Sequence, residues 1–566
     1  MTSPVWLQLF SALRLSLGVV CALYIAITLG LENPYWAPVT LMVIEGGFQG
    51  VVLQRITDRI WGTLLGVILG LAVLFIAGDM RFVLIALCFA LVTLTTYLSL
   101  EYRSRLLLWR WSALTIMLMV VIGLSYDYGT YFITNLSRIW SILVGISVAW
   151  VFHVLFFPLA SAVGIFFTLR KITGLLRRVS PESIASSQVA ALAGFYVNME
   201  ELHQLLASHA LEKYGTMIRA RHARHVLEAL EAVGEQVILE GGKAQELVAS
   251  ILDTLDTINP LAVTSLPKAG AQLEVLCAQP PADAPVKLVR AAGRMGRGLV
   301  SMNMSVTEQT EHAASVESRV YFFDSWYDDT FTNAYKAVIV GIGTGAALWL
   351  WSEVAWPGGL IMAILTMILG QFMAFTHNFP LKALGVLLVL NLIITGLLLM
   401  FVIPLIDTTG GFFLWLFLFH LLFGWLVFSP NKSLSFAVMT LLILINLSIN
   451  GYMATPYAMQ VTLTLSWGVA GGMLLGGFTA LLVKRISAHR LLQRQQNAFS
   501  EEISKLDSGA PNERQNLARS LRQRARMATV WWRGLPEARD QQAESQSVLD
   551  MVSRIPEIPA VPEPRA

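Results

Sequence analysis

One acidic residue lies in the middle of an apolar stretch, where a charge is costly. Glu45 falls near the centre of a predicted membrane span, Trp36 to Leu53, and three glycines follow it within five residues. A carboxylate at mid-bilayer costs about 2.5 to 3.5 kcal/mol on insertion scales, so it needs a partner or a function. Two interpretations stay open: a proton-coupling or gating group on a helix broken by the glycines, and a structural ion pair with Arg14 or Arg59.

Three basic residues also fall inside predicted spans. Arg14 and Lys336 each lie about one turn into the first span of their half of the chain, where they could attract a carboxylate leaving the cell. Snorkelling of their long side chains to lipid headgroups explains them as well. Arg138 lies near the opposite surface, against the charge bias of the loops, and we interpret it as an anion contact near the exit.

Small and hydroxylated residues mark the third span. Gly62, Gly66 and Gly70 recur every four residues, which predicts close contact with a neighbouring helix. The hydroxyls of Thr63 and, in the preceding span, Thr40 are candidates for lining a substrate path.

Aromatic residues and single histidines complete the candidate set. Trp36 and Trp356 fall at predicted membrane surfaces, as the aromatic belt requires. His153 and His420 are single histidines on apolar helices, suited to an interhelical hydrogen bond or to proton transfer.

Other chemistries find no support in the sequence. The three cysteines lie far apart with no histidine nearby, so we predict neither a disulfide nor a metal site. No GxxxxGK[ST], HExxH or GxSxG motif occurs, which speaks against ATP hydrolysis and against the common hydrolases. We therefore expect neither an enzyme nor a bound cofactor.

The elements that position these residues are apolar helices. The chain has 566 residues, 55% of them hydrophobic and 14% charged, with a mean hydropathy of +0.62. Apolar runs long enough for a bilayer about 30 Å thick form two blocks of six. We predict spans at Leu9–Leu31, Trp36–Leu53, Ile60–Ala77, Phe82–Ser99, Leu107–Leu124, Ile133–Phe157, Ala337–Ser352, Trp356–Phe375, Leu381–Phe401, Phe412–Phe428, Leu434–Asn450 and Ala458–Val483.

The two blocks resemble each other. Arg14, Glu32 and Trp36 recur as Lys336, Glu353 and Trp356, at offsets of 322, 321 and 320. Because each block has an even number of spans, the repeat is parallel, an arrangement known in transporters. The predicted fold class is an all-α polytopic membrane protein with two parallel six-helix repeats and a helical cytoplasmic insert. Its predicted parts are a first half at 1–158, the insert at 159–328, a second half at 329–485 and a tail at 486–566.

Loop charges predict the orientation. With the N-terminus inside, five arginines fall on the internal loops of the first block and two outside, and both chain termini are cytoplasmic. The internal residues are Arg55, Arg59, Arg103, Arg105 and Arg110, and the external ones are Arg81 and Arg138.

Two basic segments lie outside the spans. The insert carries a basic helical face between Arg219 and His225, which we interpret as a solvated face or an anion-binding surface. The tail carries arginines between Arg514 and Arg526, followed by Trp531 and Trp532, a pattern typical of an amphipathic helix on an anionic leaflet. Its last 20 or so residues are proline-rich, and we predict disorder there. We expect no binding to nucleic acid.

One motif set resembles a known family. The segment Tyr35-Trp36-Ala37-x-x-Thr40 is followed by Arg59-x-x-Gly62-Thr63-x-x-Gly66, with Arg55 one turn earlier. This pattern is similar to the fusaric acid resistance (FUSC) and aromatic acid exporter family, as is the order of six spans, insert and six spans. The second half departs from the pattern, with Trp356-Pro357-Gly358 and no counterpart of Arg138.

The resemblance implies a function. It implies efflux of small organic acids, aromatic carboxylic acids above all, across a bacterial inner membrane, often with a periplasmic membrane-fusion adaptor. Proton coupling is our added hypothesis. The alternatives are an anion channel of the malate-channel type, a membrane enzyme or sensor, and transport of an envelope lipid or precursor. The oligomeric state stays open, a homo-oligomer included.

Overall fold

The structure is a computed structural model, and every regular element in its described residues is helical. It describes residues 4–32, 34–45, 48–78, 80–102, 105–125, 128–156, 161–179, 184–209, 220–240, 245–259, 265–281, 284–301, 330–354, 356, 358–375, 381–406, 408–429, 431, 434–435, 437–443, 445–446, 458–483, 488–505, 511–533, 535 and 538–555. The chain divides into two compact units: unit 1 lies within 1–159 and 329–485, and unit 2 within 160–321 and 486–566.

Unit 1 contains the apolar helices. Its first half has α1 (Pro4–Thr28), α2 (Trp36–Ile44), α3 (Gln49–Ala77), α4 (Arg81–Glu101), α5 (Leu106–Ser125) and α6 (Tyr128–Trp150), which a π-helical segment, Val151–Phe156, follows. Helices are numbered in chain order, and α7–α12 belong to unit 2. The second half of unit 1 has α13 (Thr330–Val354), α14 (Gly359–Phe375), α15 (Leu381–Leu397), α16 (Thr409–Val427) and α17 (Ala458–Val483).

Unit 2 is helical as well. It has α7 (Ser161–Leu176), α8 (Ala185–His209), α9 (Ala220–Glu240), α10 (Gln245–Thr257), α11 (Ser265–Ala278), α12 (Val286–Ser301), α18 (Ala488–Ser504), α19 (Pro511–Arg533) and α20 (Ala538–Ser553).

The boundary between the second and third predicted spans was wrong. α2 ends after nine residues at Ile44, and α3 begins at Gln49 and continues for 29 residues. At about 1.5 Å per residue, α2 covers roughly 13 Å, less than half of a bilayer core of about 30 Å. Hydropathy missed the break because the residues after it are still apolar, whereas a Glu-Gly-Gly sequence favours an end to the helix.

The predicted glycine contact on α3 is confirmed. A Cβ atom on Gly66 would lie 2.5 Å from Cβ of Thr115, and one on Gly62 would lie 2.6 Å from the carbonyl oxygen of Leu108, both on α5. The opposite face of α3 exposes large apolar side chains, Phe75 with 91% of its surface among them. A helix with small side chains on its packed face and large apolar side chains on its exposed face suits a lipid environment.

Replacing Gly66 by leucine is expected to push α3 away from α5 and to reduce the amount of folded protein. The new side chain has no space, because its first carbon already meets Thr115. Thermal unfolding of the detergent-solubilised chain measures the effect. Gly396→Leu is the matched control, since no atom lies within 4 Å of a Cβ there. Equal melting temperatures for the two variants would contradict the close contact.

The two halves of unit 1 pack against each other through equivalent pairs of helices. α1 packs on α16, and α13 packs on α4, so the first helix of each half contacts the fourth predicted span of the other. The sixth spans repeat a second contact: a Cβ on Gly145 would lie 2.4 Å from the carbonyl oxygen of Ala37, and one on Gly468 would lie 2.3 Å from that of Gly358. These paired contacts support the repeat indicated by the sequence.

Helix length gives a lower number of spans than the twelve apolar runs. Within the described residues, six helical stretches are long and apolar enough to cross a membrane, and up to seven if a strongly bent pair of helices counts as one span. The six are Gln8–Thr28, Gly50–Ala77, Arg81–Glu101, Ser137–Val154, Thr330–Val354 and Thr409–Val427. Leu106–Val120 and Gly359–Phe375 are shorter apolar helices.

The arginine face of the tail packs within unit 2. Arg522 of α19 contacts Glu235 of α9, with Nε 3.1 Å from Oε1 and Nη2 3.3 Å from Oε2, and Arg526 contacts Glu231 one turn away. Trp532 is buried against α20. The sequence pattern typical of a membrane-surface helix is therefore used for protein contacts, because its acidic partners lie almost 300 residues earlier. The first part of the end predicted to be disordered is helical, since α20 continues to Ser553, and 556–566 lies outside the described residues, as do the side chains of the basic face between Arg219 and His225.

Replacing Arg522 by methionine is expected to destabilise unit 2 by about 3 to 5 kcal/mol, because Glu235 loses its buried cation. Burial raises the pKa of Glu235 even with Arg522 present. Folding therefore favours the protonated carboxyl, and the loss is largest above the raised pKa and shrinks as the pH falls through it. Protease resistance of the tail in increasing urea, compared at pH 5 and pH 7.5, measures both effects. A loss that does not depend on pH would contradict the role given to Glu235.

Candidate functional site

The candidate site in unit 1 forms where α2 ends. Glu45 follows the last helical residue and leaves the helix with φ −52° and ψ 120°, while its N–H still bonds to the carbonyl oxygen of Leu41. Its side chain is completely buried. The sequence predicted a carboxylate near mid-helix, and the structure places it at the broken end of a short helix.

Two side chains bind the two oxygens of this carboxylate. Nη2 of Arg14, on α1, lies 2.7 Å from Oε1. Nε2 of His153, in the π-helical segment after α6, lies 2.7 Å from Oε2. All three side chains are at most 1% exposed. Of the two cations considered for Glu45, the structure shows Arg14, and the interhelical contact considered for His153 is made with this carboxylate. We call these three residues the coupling cluster.

Hydrogen-bond chemistry limits the positions that a proton can take in the cluster. Nδ1 of His153 lies 2.7 Å from the carbonyl oxygen of Ala149, which can only accept, so Nδ1 carries a hydrogen. The Nε2 to Oε2 contact is not an aligned hydrogen bond. A proton on either atom would remove the repulsion between two lone pairs 2.7 Å apart, giving imidazolium with carboxylate or neutral imidazole with carboxyl. Counting Arg14, the cluster carries one net positive charge with this proton and no net charge without it.

Arg55 stabilises the broken end of α2. Its Nη1 donates to the backbone carbonyl oxygen of Glu45 and lies 3.5 Å from that of Ile44. The last carbonyls of a helix have no partner within the helix and carry partial negative charge, so a guanidinium is a suitable cap. The sequence analysis took Arg55 for a loop charge, which was wrong because α3 begins six residues before it.

Arg59 lies on α3 and is buried as well. Its guanidinium carbon lies 3.9 Å from the ring centroid of Trp111 on α5. Arg59 is 2% exposed, so the interpretation as a loop charge was wrong here too, and the structure shows Arg14, not Arg59, bonded to Glu45. A guanidinium stacked on an aromatic face is a favourable buried arrangement.

Three buried hydrogen-bond donors lie on α2 and α6. The guanidinium carbon of Arg138 lies 5.8 Å from the ring centroid of Trp36, and Thr40 lies one turn along α2. All three residues are more than nine-tenths buried. Within the described part of the chain, Nε and Nη1 of Arg138, Nε1 of Trp36 and Oγ1 of Thr40 have no hydrogen-bond partner. Trp36 is therefore not an aromatic-belt residue, and the donors form a buried electropositive group.

The second half does not reproduce the coupling cluster. Lys336, the counterpart of Arg14, is buried, but Thr366 occupies the position equivalent to Glu45, and α14 continues through it. Trp356 is partly buried near Gly471, and Thr63 lies partly buried on α3 with no hydrogen-bond partner for Oγ1 among the described residues. The halves therefore share packing, whereas in the described residues the charged cluster occurs in the first half alone.

An aromatic recess was missed by the sequence analysis. It lies in unit 1 among α1, the start of α2, α16 and residues 445–446, and is partly open to the surroundings. His420 lines it, and its Nε2 lies 2.9 Å from Nδ2 of Asn446. His420 and Tyr35 were singled out from the sequence, but not as neighbours, because most of the lining residues are ordinary apolar residues in separate spans.

Metal ligands are not grouped in the part of the chain that the structure describes. No set of three or more histidine, cysteine, aspartate or glutamate side chains there could hold a metal ion. The coupling cluster offers one carboxylate and one imidazole, and the arginine on that carboxylate would repel a cation.

Comparison with known proteins gives one family and short matches to curated relatives. Residues 8–554 match the model of the fusaric acid resistance protein family, FUSC. The p-hydroxybenzoic acid efflux pump subunit AaeB of Yersinia enterocolitica serotype O:8 / biotype 1B is 31% identical over 108 residues, which are 18% of this chain and 17% of that protein. AaeB of Yersinia pestis (strain Pestoides F) is 30% identical over the same shares.

The extent of these matches decides what they show. The chain matches about a sixth of the length of the curated relatives, and no solved structure matches it significantly. The family model, in contrast, covers nearly the whole chain, including the broken helix and both units. The chain is thus a multi-pass, all-α membrane protein that belongs to the fusaric acid resistance protein family.

Proposed function

We propose that this protein exports small organic acids, aromatic carboxylic acids in particular, as a secondary carrier driven by the proton gradient. The observation that carries the proposal is the buried coupling cluster at the broken end of α2. Membership of the FUSC family and the name of the Yersinia relatives, a p-hydroxybenzoic acid efflux pump subunit, support the substrate class.

The cluster suggests how a proton can drive the cycle. With the proton in place, Glu45 holds the π-helical segment to α2 through His153. Loss of the proton leaves lone pairs facing each other, and the two segments separate. Substrate enters only in this proton-free state, and a proton from outside closes the cluster again after release. Because the proton-loaded and substrate-loaded states exclude each other, the exchange is an antiport.

The buried donors on α2 and α6 supply an anion contact toward the other surface of the membrane. Arg138 lies in the first half of α6, while His153 follows the end of that helix, about 15 residues or roughly 22 Å further along. A guanidinium, an indole N–H and a hydroxyl suit a carboxylate. We propose that a departing substrate contacts Arg138 before it is released.

The proposal includes a cellular setting. It places the chain in a bacterial inner membrane with both termini in the cytoplasm, where loop arginines favour them. The coupling cluster then lies in the cytoplasmic half of the membrane and Arg138 in the outer half. Because the relatives are named as a pump subunit, a periplasmic adaptor is the partner we propose.

A growth-inhibition panel of aromatic acids, followed by uptake of the labelled hit into everted membrane vesicles, tests the function. A host without its own exporters should tolerate more of at least one acid when it produces the chain. Its energised vesicles should accumulate that acid, and a protonophore should stop the accumulation. No change across the panel, or a protective acid that vesicles do not accumulate, would contradict export.

A further inference from the structure

The aromatic recess of unit 1 is separate from the coupling cluster. Along α1, Leu23 lines the recess and Arg14 belongs to the cluster, nine residues or roughly 13 Å apart. At the other side of the recess, Nδ2 of Asn446 lies 4.0 Å from Sδ of Met42, three residues before Glu45. Both α1 and α2 therefore connect the recess with the cluster.

Aromatic rings of one helix face form a wall of the recess. Trp415 and Phe419 stack at 5.3 Å between ring centroids with their planes 26° apart, and Phe412 lies 6.0 Å from Trp415. Tyr35 lines the recess from the start of α2. Rings at these separations offer offset-stacked and edge contacts to a further aromatic ring. No charged residue lines the recess in the described part of the chain.

The polar edge of the recess has a defined hydrogen-bond pattern. Nδ1 of His420 lies 2.8 Å from the carbonyl oxygen of Leu416, so it carries the hydrogen and Nε2 accepts. Nδ2 of Asn446 donates one hydrogen to that Nε2 at 2.9 Å and the other to the carbonyl oxygen of Leu442 at 2.7 Å. The amide orientation is fixed, because a reversed amide would place two oxygens 2.7 Å apart.

The pair therefore offers an acceptor to a ligand. Both Asn446 hydrogens are used, and the described residues place no donor on its Oδ1. His420 has no free donor either, since its one hydrogen is bonded to Leu416. A carboxylate, which only accepts, finds no partner here, whereas a hydroxyl finds one.

We propose that this recess binds the ring of a hydroxylated aromatic acid, with the ring against Trp415 and Phe419 and the hydroxyl donating to Oδ1 of Asn446. The proposal rests on the proposed export function and names its specificity: the site recognises the phenolic end of the substrate, and the carboxylate stays outside the recess. An acid without a hydroxyl leaves the buried amide oxygen unpaired, which lowers its affinity.

Binding to the purified full-length chain in nanodiscs, measured by titration calorimetry, tests the proposal. Para-hydroxybenzoate should bind about tenfold more tightly than para-methoxybenzoate or benzoate, the size of one hydrogen bond in a buried site. Asn446→Leu should remove this difference. Trp415→Ala should weaken all three ligands, whereas Trp425→Ala, which changes an exposed tryptophan of the same helix outside the recess, should not.

The outcomes separate the recess from the transport function. Equal affinities for the three acids in the unchanged chain, or unchanged binding in Trp415→Ala, would overturn the recess proposal even if Asn446→Leu does not fold. Vesicles that export para-hydroxybenzoate with the same KM in Asn446→Leu would overturn it and leave export intact. Selective binding without uptake of any acid by everted vesicles would leave the recess in place and contradict the export function.

Discussion

Replacing Glu45 by glutamine is expected to abolish proton-driven export and to leave folded protein in the membrane. The glutamine amide has the same shape and can still bond to Arg14 and His153. It cannot release or accept a proton, so the cluster no longer changes state with pH. Uptake of labelled para-hydroxybenzoate into everted vesicles should fall to the level of vesicles without the chain at every pH.

The control for this variant is another buried acid. Asp58 on α3 is 3% exposed and lies 2.9 Å from Nη1 of Arg105, but no histidine contacts it. Asp58→Asn should keep pH-dependent uptake. If Glu45→Gln transports normally at all pH values, the carboxylate has a structural role only. If both variants lose uptake equally, the defect lies in folding.

Replacing Arg14 by methionine is expected to destabilise unit 1 by about 3 to 5 kcal/mol in the proton-free state, in which Glu45 then keeps no cation. The change removes the cation from a carboxylate whose side chain is completely buried. Methionine fills most of the arginine stem, so packing changes little and the loss reports the charge. Protein yield and thermal unfolding in detergent should both fall. Arg81→Met, at an exposed arginine of the same unit, should leave both unchanged.

A double variant separates charge from shape. Combining Arg14→Met with Glu45→Gln removes both ions and should restore most of the lost stability, because no unpaired charge remains buried. It should not restore export. Recovery of export would show that the ion pair serves the fold and that protons move elsewhere. Failure to recover stability would show that Arg14 acts through contacts other than Glu45.

Features that depend on neighbouring residues were predictable from sequence. Gly62 and Gly66 lie one turn apart on a single helix, so their common face and its close contact follow from helical geometry. Glu45 could be assigned a cation because a buried carboxylate needs one, and few basic residues lie within apolar runs.

Features that depend on residues far apart in the chain could not be predicted from the sequence. His153 is 108 residues from Glu45, and nothing in either segment specifies the partner. The arginines of α19 looked like lipid contacts because Glu231 and Glu235 lie in another part of unit 2. Arg55 and Arg59 were assigned to a loop because hydropathy averages over the break after Ile44, which one carboxylate and two glycines produce.

The recess shows the same limit most clearly. Tyr35, Trp415 and Asn446 come from three separate spans, and nothing in these segments indicates that they are neighbours. Only the packing of α16 against α1 brings them together. Spacing within one helix could predict the row formed by Phe412, Trp415 and Phe419, but not the cavity that it faces.

Proton movement in proteoliposomes tests the central claim, that export is coupled to the proton held by Glu45 and His153. Purified chain is reconstituted with a pH-sensitive dye inside, and para-hydroxybenzoate is added outside at equal pH. Protein-free and Glu45→Gln liposomes give the passive entry of the weak acid. In an antiport, substrate that enters through the chain expels a proton, so we predict a rise in internal pH, opposite in sign to the acidification in both controls and saturating with substrate concentration. A signal equal to the Glu45→Gln liposomes, or a substrate current that is linear in voltage as in a channel, would contradict the account.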